Sequence, residues 1–117
     1  MPLLKLETTV TLPDDKRKSL IAALSKIVAE TIGKPELYVM VTVSSADILM
    51  SGKPGETAFV DIRSIGALNA DTNKMLSQQV CRVITNSVGI SSDRIYVNFA
   101  DVAAENWGWN GTTFGSA

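Results

Sequence analysis

Apolar positions along the chain fall into two kinds of run. Between residues 14 and 32, Leu20, Leu24, Ile27, Val28 and Ile32 recur at the three- and four-residue spacing of an amphipathic helix. Fifty-six residues later Leu76, Val80, Val83, Ile84 and Val88 repeat that stripe, and Lys18 and Gly33 recur as Lys74 and Gly89. Each stripe stops at a glycine, the usual residue just past a helix end. Asp14 and Asp15 open the first stripe and Asp71 the second, where acids suit the positive end of the helix dipole. The pattern predicts helices over 14–32 and 70–88, with Asp14 and Asp15 as capping acids and not a catalytic carboxylate pair. Four other runs are rich in Val, Ile, Tyr, Phe and Thr and read as strands: 2–8, 37–44, 57–64 and 95–100. Residues 51–55, Ser-Gly-Lys-Pro-Gly, read as a loop.

The order is therefore βαβ, loop, βαβ, tail. Each crossover makes its two strands parallel with a right-handed connection. The economical packing is a two-layer α+β fold, in which the two βαβ units form one four-stranded mixed sheet with two antiparallel helices on one face. One domain spans 1–117, with a pseudo-repeat at about 1–50 and 57–105 and a tail at 106–117. The tail concentrates Trp107, Trp109 and Phe114, three of the seven aromatic residues of the chain. Such a segment is seldom left in water. It is expected to lie on its own sheet or, preferentially, to dock on another subunit. Asn110-Gly111-Thr112, although a glycosylation sequon, reads as a turn.

Composition narrows the chemistry. The formal net charge is −1, which gives no electrostatic footprint for nucleic acid. There is no histidine, so catalytic triads with a His base and HExxH zinc sites are excluded. Cys81 is the one cysteine, so no internal disulfide can form; within a helical stripe it reads as a small buried hydrophobe. No apolar stretch approaches the ~18 residues of a membrane span. The start, MPLLKLETT, lacks the basic region of a signal peptide, so the expected location is the cytoplasm. Gly33-Lys34 and Gly52-Lys53 lack the rest of a phosphate-binding loop.

The strand order locates a candidate base. Parallel strands of one βαβ unit begin at the same sheet edge, so Pro2 should lie near Lys34 to Tyr38. If the second unit runs antiparallel, strand 3 ends there too and brings Ser64 and Ile65. Tyr96 and Asn98, which share a strand face, would then stand at the opposite edge. Methionine before proline is normally removed, which would leave Pro2 with a free secondary amine. Terminal amines titrate near pH ~7.7–8.0; burial and a cation such as Lys34 would lower that value. A neutral amine near pH 7 is a usable general base.

Met1-Pro2-Leu3-Leu4, Thr31-Ile32-Gly33-Lys34-Pro35, Ser64-Ile65-Gly66 and the block from Gly89 to Phe114 resemble, over the whole length and in the right order, macrophage migration inhibitory factor and its relatives in the tautomerase superfamily. The resemblance implies a homotrimer with sheets around a central axis and an active site between neighbouring subunits. It implies keto–enol tautomerisation of phenylpyruvate or hydroxyphenylpyruvate with no cofactor and no metal. By position, Pro2 would be the catalytic base. Lys34 and the Ile65 amide would hold the substrate carboxylate beside Ser64. Tyr96 and Asn98 of a neighbour would line the far end, and Tyr38, Trp107, Trp109 and Phe114 would supply an apolar wall. Animal relatives act as cytokines, so a protein receptor and leaderless secretion are further expectations. Three departures stand out. Thr57-Ala58-Phe59-Val60 replaces the CxxC of the animal cytokine, so thiol redox activity is not expected. Arg63 stands where the animal protein has histidine, and could favour anionic substrates. Trp107 replaces a smaller residue, which could narrow the pocket and exclude bulky dopachrome esters.

Overall fold

A computed structural model describes residues 1–115; Ser116 and Ala117, the last two positions of the expected tail, lie outside the described residues. The main elements are β1 (Pro2–Thr8), α1 (Asp14–Ile32), β2 (Met40–Ser45), β3 (Ala58–Ser64), α2 (Ala70–Val88) and β4 (Ile95–Asp101), followed by the two-residue strands β5 (Gly108–Trp109) and β6 (Thr112–Thr113). The four long strands form one sheet in the order β2-β1-β3-β4. β1 pairs with β2 and β3 with β4 in parallel, while β1 and β3 run antiparallel. A shift of 56 residues carries β1 onto β3, α1 onto α2, and the 3-10 turn Glu36–Tyr38 onto the 3-10 turn Ser92–Arg94.

Alternation along the strands decides which face the helices cover. Leu4 and Leu6 of β1 and Val60 and Ile62 of β3 point into the core, where they meet Leu20, Leu24 and Val28 of α1 and Leu76, Val80 and Ile84 of α2. All ten are at most 1% exposed. Burying each such side chain contributes about 1.5–3 kcal/mol. The opposite sheet face carries Leu3, Lys5, Glu7, Phe59, Asp61, Arg63, Tyr96 and Asn98, none of them buried. Its mixed polarity lets one chain leave that face uncovered.

Both helices span the expected residues. Gly33 (φ 77°) and Gly89 (φ 82°) end them in the left-handed conformation, each returning its N–H to a carbonyl of the last turn. The start of α1 differs from expectation in its cap. Asp14 does not cap α1, whose N-cap is Pro13; it pairs instead with Arg17 one turn on. In α2, Asp71 lies in the first turn as expected, and Asn69 supplies the cap, its side chain accepting a hydrogen bond from the Thr72 amide at 2.9 Å.

β2 begins at Met40, three residues later than expected. Pro35 (φ −59°) starts a 3-10 turn in which the Tyr38 N–H donates to Pro35 O and the Val39 N–H to Glu36 O. Leu37 and Tyr38 thus carry strand-like residue types on turn geometry. β3 starts one residue late and β4 runs one residue longer, to Asp101. The 51–55 loop is present and is fastened by Arg94, whose guanidinium donates to Met50 O and Lys53 O at 3.0 Å and to Thr57 Oγ1 at 2.6 Å. In the tail, Asn110 (φ 51°) and Gly111 (φ 80°) form the two-residue loop of the β5–β6 hairpin, the Asn-Gly turn that matches strand twist. Trp109 and Phe114 stack at 6.1 Å and 14°, yet Trp109 stays 64% exposed.

Candidate functional site at the Pro2 edge

The register assembles one end of the sheet from three elements. Pro2 lies opposite Ser64 in the antiparallel β1–β3 pair, and Leu3 lies beside Met40 at the start of β2. The αL stop at Gly33 turns the chain so that Lys34 reaches across this end: its Nζ donates to Ile65 O at 2.5 Å. Pro2, Lys34, Ser64 and Ile65 are therefore brought together within a single chain, as the strand-end argument required. Tyr38, 47% exposed, sits on the turn leading into the same edge.

Electrostatics at this edge favour an uncharged amine. The terminal amine, carried here by Met1, is pushed down from its ordinary value of 8.0 to about 6. Burial is the largest cause, the positive charge of Lys34 the second and a hydrogen bond with Lys34 the third. Pro2 itself is buried. Ser64 is 0% exposed, and its Oγ finds no hydrogen-bond partner among the described residues. An unmet buried hydroxyl is costly and leaves donor and acceptor capacity beside the chain start. The Ile65 amide likewise donates to no backbone acceptor among the described residues.

The remaining expected residues divide. β4 ends at this edge, since Asp101 is in register with Ser64, so the segment bearing Trp107, Trp109 and Phe114 sets out from the Pro2 end. Trp107 and Phe114 are half-buried and joined by the Phe114 N–H to Trp107 O bond at 3.0 Å. Tyr96 and Asn98 do not join Pro2 within the chain. Tyr96 is in register with Phe59, and Phe59 with Glu7; at ~3.3 Å per residue, five residues from Pro2 is about 16 Å along β1. Both are exposed on the uncovered face.

Other features offer less. An open groove of about 870 Å³ runs along α2 past Lys74, Ser77, Cys81 and Arg82, far from the Pro2 edge. Burial pushes the Cys81 thiol up, away from the thiolate that a nucleophile needs. Arg63 is exposed on the uncovered face and pairs with Asp61 at 3.3 Å. Among the described residues no helix is long and apolar enough to cross a membrane. One residue was missed by the sequence reading: Asp101, whose Oδ1 accepts from the Gly66 N–H at 2.9 Å. Its only sequence signal was a polar residue closing an apolar strand.

Comparison with known proteins agrees with this architecture. A crystal structure of a macrophage migration inhibitory factor homologue from Prochlorococcus marinus superposes with a TM-score of 0.92 and 41% identity, covering 97% of this chain and 99% of that one. Macrophage migration inhibitory factor of Meriones unguiculatus is 35% identical over 98 residues, 83% of this chain and 85% of its own. That of Xenopus laevis is 31% identical over 115 residues, 97% of this chain and 99% of its own. The family model for macrophage migration inhibitory factor matches residues 1–115, and with that match the chain belongs to the macrophage migration inhibitory factor family.

Proposed function

We propose that the protein is a cofactor-independent keto–enol tautomerase acting on phenylpyruvate or hydroxyphenylpyruvate, with Pro2 as general acid and base after loss of Met1. The observation that carries this reading is the terminal amine held near pKa 6 beside Lys34. Pro2 is itself buried and lies at the same sheet end as Lys34, so burial and that cation would push its nitrogen in the same direction once it begins the chain. An amine pushed down in this way is largely neutral at pH 7.

In the enol-to-keto direction, Pro2 nitrogen takes the enol hydroxyl proton as the C=O bond forms. The resulting ammonium returns a proton to C3, so nothing is gained or lost overall. Lys34 and the Ile65 N–H hold the substrate carboxylate beside Ser64. A fixed carboxylate sets the reacting carbon near the nitrogen, which converts an encounter into an oriented proton transfer. Tyr38, Trp107, Trp109 and Phe114 pack against the aromatic ring.

The site is completed in a homotrimer. Tyr96 and Asn98 stand too far from their own Pro2, and the uncovered sheet face that carries them is available to a neighbouring subunit. In that assembly they line the far end of a neighbour's pocket. The reading is tested by following enol loss by ultraviolet absorbance for wild type, Pro2→Gly and a variant with Ala inserted between Met1 and Pro2. Both variants should lose most of the activity; equal rates, or an active insertion variant, would end the role of the Pro2 amine. Intact mass establishes whether Met1 has been removed.

A further inference from the structure

The turn that follows β3 is held from two sides. On one side Lys34 Nζ donates to Ile65 O. On the other, β4 reaches over: the Val102 N–H donates to Ser64 O at 2.9 Å, and the Asp101 carboxylate accepts from the Gly66 N–H at 2.9 Å. Gly66 (φ 71°) and Ala67 (φ 66°) are both left-handed. For Ala67 that conformation is unfavourable, so the turn does not keep its shape through local preference alone. Two of these contacts are made by side chains, and both fall on the peptide that joins Ile65 to Gly66: Lys34 holds its carbonyl and Asp101 its N–H. Asp101 is exposed, and no salt bridge offsets its charge among the described residues. Its acceptor role toward Gly66 is the role the structure gives it.

We infer that Asp101 is a positioning residue for the anion-holding end of the site: by anchoring the Gly66 amide it fixes the direction in which the Ile65 N–H and Lys34 meet a carboxylate. The inference rests on the tautomerase reading for its ligand, an aromatic carboxylate, and not for the contact itself. A carboxylate at this place is otherwise unfavourable, because it stands close to where an anionic substrate binds and repels it. Retaining one there is explained if the geometry it imposes outweighs that repulsion. An uncharged oxygen acceptor in the same place would keep the contact, as a weaker bond, and would remove the repulsion.

The test compares Asp101→Ala and Asp101→Asn. Asn keeps an oxygen acceptor; Ala removes it. For Asp101→Ala the KM of phenylpyruvate should rise about tenfold, equivalent to about 1.4 kcal/mol, with kcat within about twofold of wild type. Its methyl ester, which has no anion to hold, should show unchanged kcat/KM. Asp101→Asn should restore the acid to wild-type KM or below. Equal losses on acid and ester, or equal losses in both variants, would overturn the inference, as would an unchanged KM in Asp101→Ala. A second arm needs no turnover: phenylacetate binding followed by amide chemical shifts should weaken in Asp101→Ala and persist in Asp101→Asn, and Gly66 amide exchange should quicken only in the former. If wild type turns over neither acid nor ester, the tautomerase reading falls, while phenylacetate binding still decides the role of Asp101. Weakening equal in the two variants would overturn it there.

Discussion

Lys34→Met keeps the length of the stem and removes the charge, and it should cause two losses of different size. The first is the grip on the substrate. A hydrogen bond to a charged group is worth about 1.5–3 kcal/mol, so KM for a 2-keto acid should rise about 10- to 100-fold at about 1.4 kcal/mol per decade. The second concerns the base. Burial contributes most to the low amine pKa and Lys34 contributes the next two causes, so removing Lys34 returns only part of the depression. Burial stays in the variant, so the lost charge returns only a fraction of the drop from 8.0 to about 6. The lost hydrogen bond brings the rise to about one unit at most. On the proposed mechanism the neutral amine is the active form, so activity should fall as pH drops through the amine pKa, and a raised pKa should move that fall to higher pH. At pH 7 the neutral fraction would drop only from about 0.9 to about 0.5, less than twofold. Substrate binding therefore dominates the defect at pH 7, and the effect on the base emerges only on the acid limb. Kinetics from pH 5 to 8.5, followed by ultraviolet loss of the enol, separate the two. The limb of kcat/KM, which reports the free protein, should shift upward by up to about one unit. A KM within twofold of wild type, or a limb that stays put or moves to lower pH, would refute the reasoning.

Other outcomes follow from packing and capping. Leu24→Ala, at a position 0% exposed, should cost about 2–5 kcal/mol in urea unfolding, and a loss under about 1 kcal/mol would show that the core collapses around the gap. Asn69→Ala removes the α2 cap and should cost about 0.5–2 kcal/mol, while Asp71→Ala, which caps nothing, should cost less in the same unfolding assay. Sedimentation should find about three times the 12.5 kDa chain mass, and Tyr96→Ala should leave that mass unchanged while raising KM; a monomer active at wild-type rate would rule out a shared site.

Much of the fold was legible because independent signals coincided. In both helices the apolar stripe, the opening acids and the closing glycine agreed, and the elements span the expected residues. The repeat added a third check, since a feature read in one half could be looked for in the other. The start of β2 was misread because Leu37 and Tyr38 favour strands by type, whereas Pro35 had already set the turn that holds them. The α1 cap was misread because acids near a helix start serve the dipole whether or not they bond an amide; in α2 the bond to an amide comes from Asn69, two positions before the acid. At the site, strand order was enough to join Pro2, Lys34, Ser64 and Ile65 and to separate Tyr96 and Asn98 from them. Asp101 was not legible, since its role depends on the register between β3 and β4, which no local pattern encodes. The same holds for Arg94, whose hydrogen bonds reach back about 40 residues to the 50–57 loop.

The doubled architecture gives the chain two alike corners and only one beginning. Ala58 occupies in the second half the place that Pro2 holds in the first, but its nitrogen is locked in a peptide bond and has no basicity to offer. Ile90 stands where Lys34 would be, and Thr8 and Thr9 where Ser64 and Ile65 would be. At that corner the Thr57 amide donates to Thr9 Oγ1 at 3.0 Å, and Arg94 ties down the adjoining loop. Joining the two halves head to tail thus sets aside one corner for fastening and leaves the other to the chemistry we propose.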